Sequence, residues 1–94
     1  MAAVERNVVL TNRMGLHARP STAIASLAGR FSAEMTITKD DMTVDAKSVL
    51  ELLMLAAECG SALAIRAEGS DADAAVKAVA ELVESKFGEL DVDA

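Results

Sequence analysis

The sequence predicts an α+β fold in which three helices cover one face of a four-stranded antiparallel sheet. Four short segments alternate apolar and polar residues, as strands with one buried face do. Three other segments repeat apolar residues at helical spacing. The resulting order is βαββαβα, and one layer of helices is enough to cover a sheet that is apolar on one face. We therefore expect an open-faced, two-layer sandwich formed by residues 1–94 as a single domain.

The first strand and the first helix are predicted from a change in the spacing of apolar residues, from alternation to helical spacing. Residues 4–10, VERNVVL, place Val8 and Leu10 on one face of a strand. After the break at TNRMG, helical spacing begins at Ala18, and Gly29 is positioned to follow the helix as its C′ residue. The apolar positions of this helix are Ile24, Leu27, Ala28 and Phe31.

Two alternating runs predict a β-hairpin. Residues 34–39, EMTITK, and residues 42–46, MTVDA, are separated by two aspartates, which favour a turn. Met35 and Ile37 share one face of the first run, and Val44 and Ala46 share one face of the second.

A second helix is predicted from Ser48 to Glu58, with Gly60 after its end. Ser48 and Glu51 have the spacing of a capping box. Apolar residues occupy most of the circumference of this helix, although only one stripe of it can face a sheet. We expect the surplus to form a partner-docking surface at Val49, Leu50 and Leu53. The alternatives are that loops cover these side chains or that the helix is more deeply buried.

The last strand and helix complete the pattern. ALAIRAE alternates at Leu63, Ile65 and Ala67, and a third helix begins near Ser70 with Asp71 in its first turn. Residues 89–94 are predicted to be a frayed tail. The apolar stripe of the third helix comprises Val76, Val79, Val83 and Phe87, and Gly88 closes it.

Composition excludes several function classes. Aromatic residues make up 2% of the chain and the net charge is −6, which argues against base stacking and against binding to nucleic-acid phosphates. Cys59 is the single cysteine, so neither an internal disulfide nor a cysteine metal cluster is expected. No run resembles a signal peptide or a membrane span. We expect a cytoplasmic, monomeric protein without a cofactor or metal.

The segment GLHARP concentrates chemically useful residues at the start of the first helix. It contains the one histidine, His17, followed by Arg19 and by the one proline, Pro20. A helix N-terminus attracts anions, and a guanidinium suits phosphate. Pro20 fits the first helical turn, and Gly15 permits unusual backbone angles. These features favour a phosphoryl-accepting His17; a simple anion site or a capping histidine are the alternatives.

GLHARP followed by KSVLELLMLAAECG resembles the HPr phosphocarrier family of the bacterial phosphotransferase system, from about Val4 to Gly88. The resemblance implies the same open-faced fold. It implies that Nδ1 of His17 takes a phosphoryl group from Enzyme I and passes it to an EIIA-type protein, assisted by Arg19. The helix start formed by Gly15, Ala18 and Pro20 is then expected to support the phosphoryl group. Ser48 corresponds to the serine that a dedicated kinase modifies in many members and that a phosphorylase restores.

The resemblance describes a carrier and not an independent catalyst. The second helix is similar to that of the nitrogen-related branch, NPr, so both sugar transport and nitrogen regulation stay open. One alternative is an HPr-like regulatory module without carrier activity, against which the intact His17 argues. Another is an acylphosphatase-like hydrolase, but Asn7 and Asn12 have no evident place in that chemistry.

Overall fold

The computed structural model describes residues 3–89, in which the predicted order of elements is observed. Each strand coincides with an alternating run, and each helix with a run of helical period. The strands are β1 (Ala3–Val9), β2 (Glu34–Lys39), β3 (Met42–Asp45) and β4 (Ala62–Glu68). The helices are α1 (Ala18–Ala28), α2 (Val49–Met54) and α3 (Ala72–Glu84).

The strands form one antiparallel sheet in the order β1-β4-β2-β3. Alternate residues of these strands face the helices; Ile37 and Ile65, for example, are paired across β2 and β4 and are fully buried. The opposite face carries mainly polar residues, including a hydrogen-bonded pair, Thr38 and Thr43. The predicted α+β class and open-faced sandwich are confirmed. The buried residues of the sheet and the helices form one aliphatic core.

The second helix is much shorter than predicted. It ends at Met54, and Ala56 has a φ of +50°, which a right-handed helix does not permit. The cap is observed in part, because Oγ of Ser48 accepts the Glu51 N–H at 3.1 Å. The Glu51 carboxylate does not complete a capping box; it accepts the Asp45 N–H at 2.9 Å. Glu51 therefore joins α2 to the end of β3.

Two other helix ends differ from the prediction. Gly29 is the C-cap of α1 with a φ of −65°, so it does not adopt the left-handed conformation typical of a C′ glycine. Helix α3 ends at Glu84, and Phe87 lies in a left-handed turn, Lys86–Glu89, with a φ of +57°. Phe87 is still buried, as its apolar character predicts. Of the predicted frayed tail, residues 89–94, Glu89 ends this turn and residues 90–94 lie outside the described residues.

Asp71 connects the start of α3 to the loop before β2. Although Asp71 is the N-cap of α3, its side chain makes no capping hydrogen bond. Its two carboxylate oxygens instead accept the N–H groups of Ser32 and Ala33, both at 2.8 Å. Gly69 allows this approach, because a Cβ there would lie 2.9 Å from Cα of Ala33. The hydrogen bond from Ser32, assisted by that from Ala33, lowers the pKa of Asp71 below its ordinary value.

We predict that Asp71→Asn lowers the denaturation midpoint at about pH 7 and that the difference from the parent shrinks below about pH 4. A carboxyl whose folded-state pKa is lowered contributes stability above its unfolded-state pKa and loses it as the pH falls through the folded-state pKa. An amide is uncharged and has one acceptor oxygen, so it cannot offer each N–H group its own charged oxygen as the carboxylate does. Urea denaturation across this pH range measures the effect, with Asp73→Asn in the same helical turn as the control. An equal difference at both pH values would contradict the assignment.

Candidate functional site

His17 is the N-cap residue of α1. Its backbone is extended, with a φ of −84° and a ψ of −168°, and its carbonyl accepts the first helical N–H, that of Ser21, at 3.1 Å. Its side chain makes no capping hydrogen bond and is half-buried. The imidazole therefore stands at the positive end of the helix dipole without serving the helix as a cap, which excludes the capping alternative.

The first turn of α1 contains the residues that were predicted to surround an anion. Pro20 is buried in this turn and has no N–H. The backbone donors of the turn therefore come from the residues that precede Pro20. Ala18 and Arg19 are exposed beside His17, and the Thr22 hydroxyl donates to the Ala18 carbonyl at 2.8 Å. An open groove of about 380 Å³ follows this face of the helix. It is lined by Ala18, Arg19, Thr22 and Ala23. The phosphate-supporting role of these positions stays a prediction.

The loop before His17 is docked on the segment that follows α2. The Leu16 N–H donates to the Ala57 carbonyl at 2.9 Å. Gly15 is buried with a φ of +70°, and a Cβ there would overlap the Ala57 carbonyl and lie 2.9 Å from Cα of Glu58. Gly15 is therefore required both by its backbone angle and by the close approach of a second backbone. This contact fixes where His17 stands relative to α2.

Asn12, which the sequence did not assign to the site, organises the same loop. It is 1% exposed, and its Nδ2 donates to the Gly15 carbonyl at 2.8 Å. The same carbonyl accepts the His17 N–H at 3.0 Å. In addition, the Gly15 N–H donates to the Asn12 carbonyl at 3.2 Å. An asparagine just before a glycine-containing loop is a known turn signal, and that signal was available in the sequence.

Helix α2 exposes part of its apolar surface. Leu50 and Leu53 are 73% and 37% exposed, and Val49 is half-buried. Met54 is exposed on the same helix, and Met14 is exposed in the loop before His17. Coverage by loops is therefore wrong for Leu50 and Leu53, whereas a docking role for the three predicted residues stays a prediction. Ser48, at the start of this helix, is half-buried.

No metal-binding group was found among residues 3–89. Within that range, no three His, Cys, Asp or Glu side chains lie close enough to hold an ion. Cys59 is exposed, and its thiol donates to the Thr11 carbonyl at 3.7 Å. The helices within the same range are each too short or too polar to span a lipid bilayer.

Comparison with known proteins places these features in a family. A family model named PTS-HPr, described as the PTS HPr component phosphorylation site, matches residues 4–85. The chain is 45% identical to a phosphocarrier protein NPr of Shewanella violacea, over 95% of this chain and 98% of that protein. It is 40% identical to a phosphocarrier protein HPr of Treponema pallidum, over 92% and 98% of the two chains. A crystal structure of HPr-C-His from Thermoanaerobacter tengcongensis superposes with a TM-score of 0.88 at 38% identity, covering 92% of this chain and 97% of that one.

We predict that Gly15→Ala lowers the free energy of unfolding by about 1–3 kcal/mol more than Gly88→Ala does. Gly88 has a similar φ of +63°, but a Cβ there would contact nothing within 4 Å. Both variants bear the cost of the left-handed conformation, about 1–2 kcal/mol, and only Gly15→Ala must also displace the Ala57 carbonyl. Urea denaturation of the two variants measures the difference. Equal losses would show that the loop does not depend on this close approach.

Proposed function

This chain belongs to the HPr family of phosphoryl carriers of the phosphotransferase system, and we propose that His17 is the residue that carries the phosphoryl group. In this proposal Enzyme I donates the group and an EIIA-type protein receives it. The observation that carries the proposal is the position of His17 at the start of α1, with a half-buried side chain that makes no capping bond. A helix start is suited to the charge that His17 gains when phosphorylated.

The transfer requires a neutral imidazole. Its proton stays on Nε2, and the lone pair on Nδ1 forms a bond with phosphorus while the bond between phosphorus and the donor breaks. Nδ1 is the ring nitrogen nearer to the backbone, and in this proposal the group attached there is held by the N–H donors of the first turn. Arg19 adds a guanidinium on the same turn, which offers planar donors to phosphate oxygens. Because the group must leave again, moderate stabilisation suits a carrier better than tight binding.

We predict that Enzyme I and phosphoenolpyruvate add one phosphoryl group to the parent protein and none to His17→Ala. The bound phosphate should be labile to acid and stable to alkali, as phosphohistidine is. Since the side chain makes no capping hydrogen bond, the variant should unfold at nearly the parental temperature. Mass spectrometry and thermal denaturation provide the two measurements. Equal labelling of parent and variant would exclude His17 as the acceptor.

We further propose that Enzyme I docks on an apolar patch beside His17, formed by Val49, Leu50 and Leu53 with Met14 and Met54. Exposed apolar side chains in this number are typical of an interaction surface. The hydrogen bond from Leu16 to Ala57 holds the His17 loop against the segment after α2. A partner seated on the patch therefore also reaches the imidazole.

We predict that Leu50→Gln raises the KM of Enzyme I for this carrier about tenfold, equivalent to ~1.4 kcal/mol of binding free energy. Leu50 is 73% exposed, so its loss should leave the unfolding midpoint nearly unchanged. Val9→Gln is the matched control, because Val9 is 51% exposed at the end of β1, on the strand face opposite the buried Val8. If the two substitutions change the KM equally, the patch is not the docking surface.

The regulatory part of the proposal concerns Ser48, as a site for a serine kinase and phosphorylase. Ser48 already caps α2 by accepting the Glu51 N–H, which is sufficient reason for a serine at this position. A phosphate there would add a charge of about −2 beside Val49 and Leu50 and so disfavour an apolar interface. In the docking assay, Ser48→Asp should resemble Leu50→Gln, while Ser48→Asn, a neutral cap, should resemble the parent. Parental values for both variants would leave Ser48 as a cap alone.

The last part of this proposal concerns the pathway that the carrier serves. The 45% identity to an NPr protein, together with the NPr-like second helix, favours the nitrogen-related branch over sugar transport. The cytoplasmic location and monomeric state expected from the sequence belong to the same proposal. No observation on the described residues favours the hydrolase or the non-carrier module over a carrier.

A further inference from the structure

We propose that Asn12 is a positioning residue for phosphoryl transfer at His17, acting through the carbonyl of Gly15. This inference rests on the proposed role of His17. Asn12 lies five positions before His17 in the chain and is 1% exposed, so it does not itself meet a partner protein. Its influence on the imidazole must pass through the loop between them.

The connection is a carbonyl shared by two donors. Nδ2 of Asn12 lies 2.8 Å from the Gly15 oxygen, and the backbone nitrogen of His17 lies 3.0 Å from the same oxygen. Two donors that converge on one oxygen fix the direction of the carbonyl more closely than either donor does alone. The direction of this peptide group sets the backbone angles at Leu16, the residue that leads into His17. Asn12 therefore constrains the point from which the imidazole projects.

The hydrogen bonds of Asn12 indicate that it positions the loop and contributes little to the free energy of unfolding. If Nδ2 is removed, the Gly15 carbonyl keeps the His17 N–H as its partner, so no acceptor is left unsatisfied. Within residues 3–89, Oδ1 of Asn12 is buried and accepts no hydrogen bond. A buried, unpaired amide oxygen is unfavourable, so an apolar side chain of similar volume should cost little stability or even add some. Asparagine is then explained by the geometry that it imposes on the loop.

Small displacements of a reacting group are sufficient to slow a transfer step. Misplacement by about 1 Å has effects of up to about 100-fold, because the nucleophile and phosphorus must be aligned. Loosening the Gly15 carbonyl allows the imidazole to leave the alignment required for attack. Four of the five docking-patch residues lie on α2, and only Met14 belongs to the Asn12 loop, so recognition of Enzyme I should change much less than the transfer step.

The test compares Asn12→Leu with the parent in the Enzyme I assay, and Asn7→Leu is the control. Asn7 is exposed on β1, so Asn7→Leu makes the same substitution of leucine for asparagine at a position outside the loop. We expect kcat to fall about tenfold in Asn12→Leu, with a much smaller change in KM and an unfolding midpoint at or above the parental value. The His17 amide proton should shift in the NMR spectrum, because its N–H no longer shares its acceptor. Asn7→Leu should change none of these quantities.

Asn12→Ser controls for the possibility that leucine slows transfer by overpacking the loop, because serine is smaller than asparagine. The serine hydroxyl is also too short to occupy the position of Nδ2, so the bond to the Gly15 carbonyl is lost in this variant too. It should show the same fall in kcat. Parental kcat values in both variants would overturn the proposal, as would a loss of rate that merely follows the fraction of unfolded protein. A parent protein that Enzyme I cannot label would instead overturn the proposed function.

Discussion

The approach of the Gly15–Leu16 backbone to Ala57 is the contact on which the functional end of the molecule depends. The connection between β1 and α1 and the segment after α2 are far apart in sequence, and the 2.9 Å hydrogen bond from Leu16 to Ala57 is the one among several between them that lies next to His17. A side chain at position 15 would prevent the approach. The imidazole of His17 and the apolar surface of α2 acquire a fixed relation through this contact. Neither feature alone makes a carrier, because a carrier must present its acceptor atom to a partner that it also recognises.

The layering of the fold could be predicted because strand alternation reports burial directly. Met35, Ile37, Leu63 and Ile65 were predicted to share the covered face, and all four are buried. The end of α2 could not be predicted in this way. Leucine and alanine favour helix throughout this segment, yet Ala56 adopts a positive φ. There, packing of Leu55 and Ala57 into the core prevails over local propensity.

The site shows the same division between local and long-range information. His17, Arg19 and Pro20 lie within four positions, so their common location at a helix start was evident from the sequence. The role of Asn12 could not be predicted, because its amide acts on the Gly15 carbonyl, whose direction is defined only in the folded loop. Similarly, the two bonds that Asp71 accepts from Ser32 and Ala33 cross between elements distant in sequence. Long-range hydrogen bonds leave little trace in composition or periodicity.

The order of the strands also affects how the chain is made. In the β1-β4-β2-β3 sheet, β1 is an edge strand whose neighbour, β4, is the last strand to be synthesised. During translation, β1, which leads to the His17 loop, leaves the ribosome before its pairing partner, residues 62–68, has been made. The β2–β3 hairpin can close at once because its strands are adjacent in sequence. A nascent chain that stops before β4 therefore lacks the pairing partner of β1, the strand that leads to the His17 loop.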